Sequence, residues 1–190
     1  MLKMKIIFTL LALALLAACS STQTNVAKGV ANPVGEGAPQ WVLDPGSVAG
    51  LNAVGSAAKS PGGIQFQRNE AMAGGRDELA RILSVKVKNS FKNFSEQTGV
   101  GDSQTFDKVT TSVSQQLAKQ TLNGSKQKDL WLGQDGTMYI LVSLDPKAVA
   151  DITKQLAISS LNNERALFQK EEAKKAFNEL EADIDKEFNQ

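Results

Sequence analysis

Apolar positions along this chain fall into a few rhythms, and each rhythm selects an element. Between residues 65 and 98, Leu79, Ile82, Leu83, Val87, Phe91 and Phe94 recur at spacings of three and four. Such spacing lines one face of a 3.6-residue helix. Gly99 is predicted to close it in the left-handed conformation. Gly74 and Gly75 sit inside the helical pattern, each costing about 1 kcal/mol relative to alanine. Close approach of a neighbouring backbone accounts for them, and so does a break in the helix. Phe106, Val109, Val113 and Leu117 repeat the same step and predict a second, shorter helix.

The β signals are fewer. Residues 51–57 read as a short strand between glycine-rich loops. Two apolar runs, about 121–132 and 137–144, flank Gln134-Asp135-Gly136. Asp-Gly between such runs is the strongest short hairpin signal, and it predicts positive φ at both residues. Asp145-Pro146 then opens a helix, with Asp as N-cap and Pro at the first helical position. Val149, Ile152 and Leu156 form its stripe, and Ser159-Ser160 and Asn162-Asn163 weaken the pattern. From 164 to 188 a further amphipathic stretch carries Phe177, Leu180, Ile184 and Phe188 on one face, with Glu171 and Lys175 spaced for an i,i+4 pair. Such a helix is marginal alone. It must either fold back on the domain or meet a partner chain, so these four residues are the candidate partner-binding face. The predicted class is α+β: a small antiparallel sheet of about three strands, with a hairpin near 121–144, covered by helices and followed by a C-terminal amphipathic helix.

The N-terminus follows a different logic. Lys3 and Lys5 precede an apolar run from Ile6 to Leu16, and Leu16-Ala17-Ala18-Cys19-Ser20 follows. A basic start, an apolar stretch and small residues before a cut site mark a secretory signal. The stretch is shorter than the ~20 residues of a membrane span. Leu-Ala-Ala-Cys resembles the bacterial lipobox, which implies a signal peptide over 1–18, diacylglycerol transfer to the Cys19 sulfur and acylation of the new N-terminus. Several acyl chains anchor firmly, because each buried methylene adds about 0.8 kcal/mol. Residues 19–37 are small and polar, too poor in apolar surface to order themselves, and are read as a flexible tether.

Composition narrows the chemistry. The precursor carries a formal charge of +1, and loss of Lys3 and Lys5 leaves −1, so no basic field exists to attract nucleic acid. There is no histidine, which removes Ser-His-Asp and Cys-His catalysis and the commonest transition-metal ligand. Cys19 is the single cysteine, so no intrachain disulfide is available. Gly62-Gly63 and Gly99-Val100-Gly101 lack the strand–glycine–helix setting of a phosphate loop. Arg76, Asp77 and Glu78 point apart on a helix, and Asp129 and Asp135 flank a hairpin without a partner signal. Trp41 and Trp131 suit either the edge of a small core or a partner surface. The expectation is therefore no catalytic, cofactor or metal site and no small-molecule substrate.

Four segments, Gly37-Ala38-Pro39-Gln40-Trp41-Val42, Ala53-Val54-Gly55-Ser56-Ala57, Arg76-Asp77-Glu78-Leu79-Ala80-Arg81 and Met138-Tyr139-Ile140-Leu141-Val142-Ser143-Leu144-Asp145, resemble the LPP-20-type bacterial lipoprotein family. Relatives include the flagellar lipoprotein FlgP. The resemblance implies a small α+β domain over about 38–158; the amphipathic helical extension over 159–190 lies beyond it. It also implies lipid attachment to the outer membrane of a Gram-negative bacterium, and no catalytic residues. Some relatives assemble into rings or disks around the flagellar motor. The function expected is a non-enzymatic envelope module that binds protein partners or itself, in one form a FlgP-like motor component. The alternative is a periplasmic activator or adaptor of a peptidoglycan-synthesising enzyme.

Overall fold

The structure, a computed structural model, describes residues 34–98, 103–163 and 170–189. The predicted signal peptide, Cys19, most of the tether and the Gly99 cap lie outside the described residues. The chain enters through a helical turn, α1 (Gln40–Leu43), and a 3-10 turn over Pro45–Ser47, in which the Asp44 side chain accepts from the Gly46 N–H at 3.1 Å. Then come β1 (Leu51–Ala57), α2 (Ile64–Thr98), α3 (Ser103–Thr121), β2 (Lys126–Leu132), β3 (Met138–Leu144), α4 (Pro146–Asn163) and α5 (Lys170–Phe188).

The three strands form one antiparallel sheet in the order β1-β3-β2. Register follows the side-chain period of two. Leu51, Ala53 and Ala57 lie opposite Leu144, Val142 and Met138, and all of these are buried in the main core with Ile140. The other face carries Val54, Trp131, Tyr139 and Leu141, covered by Trp41 and Val42 of α1. The α+β class with a three-stranded sheet is thus as expected, and the central strand is buried on both faces.

Helix α2, 35 residues long, extends about 52 Å, whereas a seven-residue strand spans about 23 Å. Its first half lies on the sheet. Its second half runs beyond and meets α3 and α5, while α4 packs against both of these, so the four helices close into a bundle. Leu83, Val87, Phe91 and Phe94 of α2 share that core with Val109, Val113 and Leu117 of α3, Leu156 and Leu161 of α4, and Leu180, Ile184 and Phe188 of α5.

The crossing of α2 over β1 explains a glycine cluster. A Cβ on Gly55 would sit 1.8 Å from the Ala71 carbonyl oxygen and 2.3 Å from the Gly75 nitrogen. A Cβ on Gly75 would meet Val142 Cγ2 at 2.4 Å. Helix and strand approach through bare backbone, so close approach, and not a break in α2, accounts for Gly75. Gly74 is different: its nearest neighbour, Gly55 Cα, would be 3.8 Å away, an ordinary contact.

Two local expectations are corrected. The strand predicted from 121 begins at Lys126, because Thr121 ends α3, its hydroxyl donating to the Leu117 carbonyl at 2.7 Å, and Leu122–Gly124 form a 3-10 turn. The hairpin exists, but only Gly136 takes positive φ, at 82°, and no described non-glycine residue does. The Gly133 N–H donates to the Thr137 carbonyl and the Gly136 N–H to the Gly133 carbonyl. This five-residue loop needs one left-handed residue, unlike the two-residue turn expected from Asp-Gly.

Candidate interaction surfaces

Helix α5 starts from the amphipathic pattern and ends in the bundle. Leu180, Ile184 and Phe188 are at most 1% exposed, and Phe177 is partly buried against the same core. Burying each such side chain contributes about 1.5–3 kcal/mol. Polar contacts rim the apolar stripe. Lys86 Nζ of α2 donates to the Glu187 carbonyl and stands 5.8 Å from the Phe188 ring centroid. Lys154 of α4 pairs with Asp185 at 2.6 Å. Of the two destinations left open by the sequence, the structure shows this face folded back onto its own chain. The side chains of Phe106 and Glu171 lie outside the described residues.

A second surface is the sheet face away from α2. Trp41 is 5% exposed, and its indole Nε1 donates to Asp129 Oδ2 at 2.9 Å, so the tryptophan of α1 is fastened to the edge strand. Trp131 stacks at a tilt on Tyr139, centroids 5.3 Å apart. Both tryptophans therefore close the second small core. The third surface is the free edge beside it. β2 is exposed along most of its length, breaks its register between Gln127 and Asp129, and leaves Leu130 37% and Leu132 50% exposed. A bulge and the flanking Lys126 and Lys128 are devices that discourage indiscriminate edge pairing.

The remaining candidates have structural partners. Asp135 accepts from the Thr137 backbone N–H at 2.9 Å and its hydroxyl at 2.7 Å. The backbone bond first, and then the hydroxyl, hold its carboxyl below the usual range. Lys147 on the first turn of α4 bonds Asp151 at 2.8 Å, which lowers the Asp151 pKa and raises that of Lys147. Asp145 caps the same helix by accepting from the Lys147 N–H at 3.0 Å. Arg76 donates to Ser125 Oγ at 2.9 Å, and Glu78 pairs with Arg81 at 2.7 Å. Gly63, with φ 86°, belongs to the turn before α2. Between α2 and α3 an open groove is lined by Ser84, Lys88, Glu96, Asp107, Thr111 and Ser114. Among the described residues no group of three or more His, Cys, Asp or Glu could hold a metal ion, and no helix is long and apolar enough to cross a membrane.

Sequence reasoning missed two features. Gly55 in a strand was a legible sign of close backbone approach, and it becomes specific only when matched to Gly75. The exposed Leu130 and Leu132 left no signal, because apolar residues in a strand read as core until the edge is known.

The fold and its surfaces define a small α+β domain whose distinctive features are packed faces and a sheet edge. The family model of the LPP20 lipoproteins matches residues 39–145, 107 of the 190 residues, and the chain belongs to that family. The match runs from the start of α1 through β3 and ends where α4 begins. Comparison with the curated proteins gives no match.

Proposed function

We propose that this protein is a lipid-anchored envelope component that acts by binding protein chains, itself included, and not by catalysis. The observation that carries the reading is the family match over residues 39–145 behind Leu16-Ala17-Ala18-Cys19. Cys19 is the acceptor of the lipid, and the tether sets the domain off from an outer-membrane leaflet. The absence of histidine from the sequence, and the engagement of Asp129, Asp135 and Asp151 in structural hydrogen bonds, support a non-enzymatic role. The finer form is a FlgP-like part of the flagellar motor.

Photo-crosslinking in living cells from Leu130 and Leu132, followed by membrane separation on a density gradient, tests the reading. Discrete crosslinked protein bands in the outer-membrane fraction are expected. A domain that fractionates with the soluble pool, or gives no protein adduct from either position, overturns it. Flagellar proteins among the adducts support the motor form, and peptidoglycan synthases would replace it with the activator role.

A further inference from the structure

Among the described residues six large apolar side chains are exposed: Leu43, Ile64, Phe66, Val85, Leu130 and Leu132. Three of them share one end of the domain. Leu132 closes β2 beside the 133–137 loop, and Ile64 and Phe66 lie on the first turn of α2, 62% and 57% exposed. Gln67 ties these parts together, its Nε2 donating to the Ala57 carbonyl at 2.9 Å and to the Gly136 carbonyl at 2.7 Å. The turn ahead of α2 is itself hydrogen-bonded. The Gly62 N–H donates to Ser60 Oγ, the Gly63 N–H to the Ser60 carbonyl and the Gln67 N–H to the Gly63 carbonyl. A Cβ on Gly62 would lie 3.1 Å from Phe66 Cγ, so the bare glycine seats the Phe66 ring against the turn, with its outer side in water. A built tip thus carries apolar side chains that add little to either core.

The charge around this tip has one sign. Residues 58–69 include Lys59 and Arg68 and no acid. Lys59 lays its stem against Gly136, and Arg68 donates to Gln127 at 2.9 Å. Asp135, the acid of the adjoining hairpin loop, is taken up by the Thr137 N–H and hydroxyl, and Glu70 stands one turn behind Phe66. Apolar tips flanked by cations complement an anionic leaflet: the apolar groups sink to the headgroup–acyl boundary and the ammonium and guanidinium groups stay among the phosphates.

We propose that this end of the domain dips into an anionic phospholipid surface, with Ile64 and Phe66 entering the boundary, Leu132 at its rim, and Lys59 and Arg68 on phosphates. The inference deepens the lipid-anchored reading above, which brings a leaflet within reach. Residues 19–34 span at most about 50 Å, so an anchor at Cys19 keeps the tip at high effective concentration over one leaflet. Two inserted side chains are too few to hold the domain alone; their insertion orients a domain that the anchor holds. Leu130, farther back along β2, stays out of the bilayer and open to a protein chain.

The test uses the mature lipid-bearing chain, reconstituted in vesicles of phosphatidylethanolamine and phosphatidylglycerol. Phe66→Trp is compared with Val85→Trp, an equally exposed position in the second half of α2, against the Trp41 and Trp131 background of the unsubstituted chain. With phospholipids brominated on their acyl chains, Phe66→Trp should be quenched and Val85→Trp should not. Adding Lys59→Glu, or omitting phosphatidylglycerol, should weaken the quenching. Ile64→Ser should lower the ratio of inserted to free tip by about tenfold. Equal quenching at 66 and 85, or none at 66 in a chain that floats with the vesicles and keeps its helical circular dichroism, overturns the insertion and leaves the anchored reading standing. A chain that does not float removes the anchored reading and the insertion with it. In cells, a photo-crosslinker at position 66 that captures protein in place of phospholipid gives the tip to a protein partner and overturns the proposal.

Discussion

Adjacent glycines in α2 should respond in opposite directions to the same substitution. Gly74→Ala places a Cβ 3.8 Å from Gly55 Cα, an ordinary contact, and gains up to about 1 kcal/mol of helix propensity. Gly75→Ala gains the same propensity, but its Cβ lies 2.4 Å from Val142 Cγ2, whereas carbons rest about 3.5–4.0 Å apart. Val142 is fully buried, so the valine or the helix must shift by more than about 1 Å. Overpacking of this kind costs about 1–3 kcal/mol, which leaves Gly75→Ala a net loss of up to about 2 kcal/mol. Gly55→Ala is worse, at about 3 kcal/mol, because its obstacles are backbone atoms of α2 that no rotamer change can clear. In a domain of this size 1 kcal/mol moves Tm by about 2–4 °C. Thermal unfolding followed by circular dichroism should rise for Gly74→Ala, fall for Gly75→Ala and fall furthest for Gly55→Ala. Val142→Ala should partly rescue Gly75→Ala, a non-additivity expected of touching residues, and should not rescue Gly55→Ala. Equal shifts for the two helix positions, or strict additivity with Val142→Ala, would refute the close-approach account.

Other expectations follow from the contacts. Trp41→Phe keeps an aromatic ring but removes the pyrrole part of the indole and with it the donor to Asp129, so urea unfolding should show a loss of at least about 1.5–3 kcal/mol; an unchanged midpoint would show that the Trp41–Asp129 bond does not hold α1. Ile184→Ala, at a fully buried position of α5, should cost about 2–4 kcal/mol in the same assay; a loss within error would mean that α5 is not docked in solution. The Asp135 contribution has a defined pH sign. Its pKa lies below the ordinary 3.8, so the stabilisation is complete above that value and is lost as pH falls through the lowered pKa. The Thr137 amide resonance should shift in that acid range in the native chain and not in Asp135→Asn; a shift persisting in the variant removes the assignment.

Local rules carried much of this fold into the sequence. The long helix was legible because Leu79, Leu83, Val87 and Phe91 each return to one face, and Asp145-Pro146 announced α4 through its own cap. β3 was legible as an apolar run, but its burial on both faces depends on α1, which is remote in sequence. The start of β2 was misplaced because Thr121 and Leu122 suit a strand as well as the helix end they form. The stripe of α5 could be read and its destination could not, since docking depends on a face of α2 far along the chain as well as on α4. The candidate surfaces divide the same way: Phe177, Leu180, Ile184 and Phe188 were visible as a pattern, whereas the exposed edge at Leu130 and Leu132 exists only once β1-β3-β2 order is known.

The central claim, a lipid-anchored interaction module, meets its most direct test in the intact mass of the chain extracted from membranes. The account predicts a mature N-terminus at Cys19, carrying diacylglycerol on its sulfur and an amide-linked acyl chain, both lost with Cys19→Ser. A mature chain that begins elsewhere, or an unmodified Cys19 in membrane-extracted protein, would contradict it.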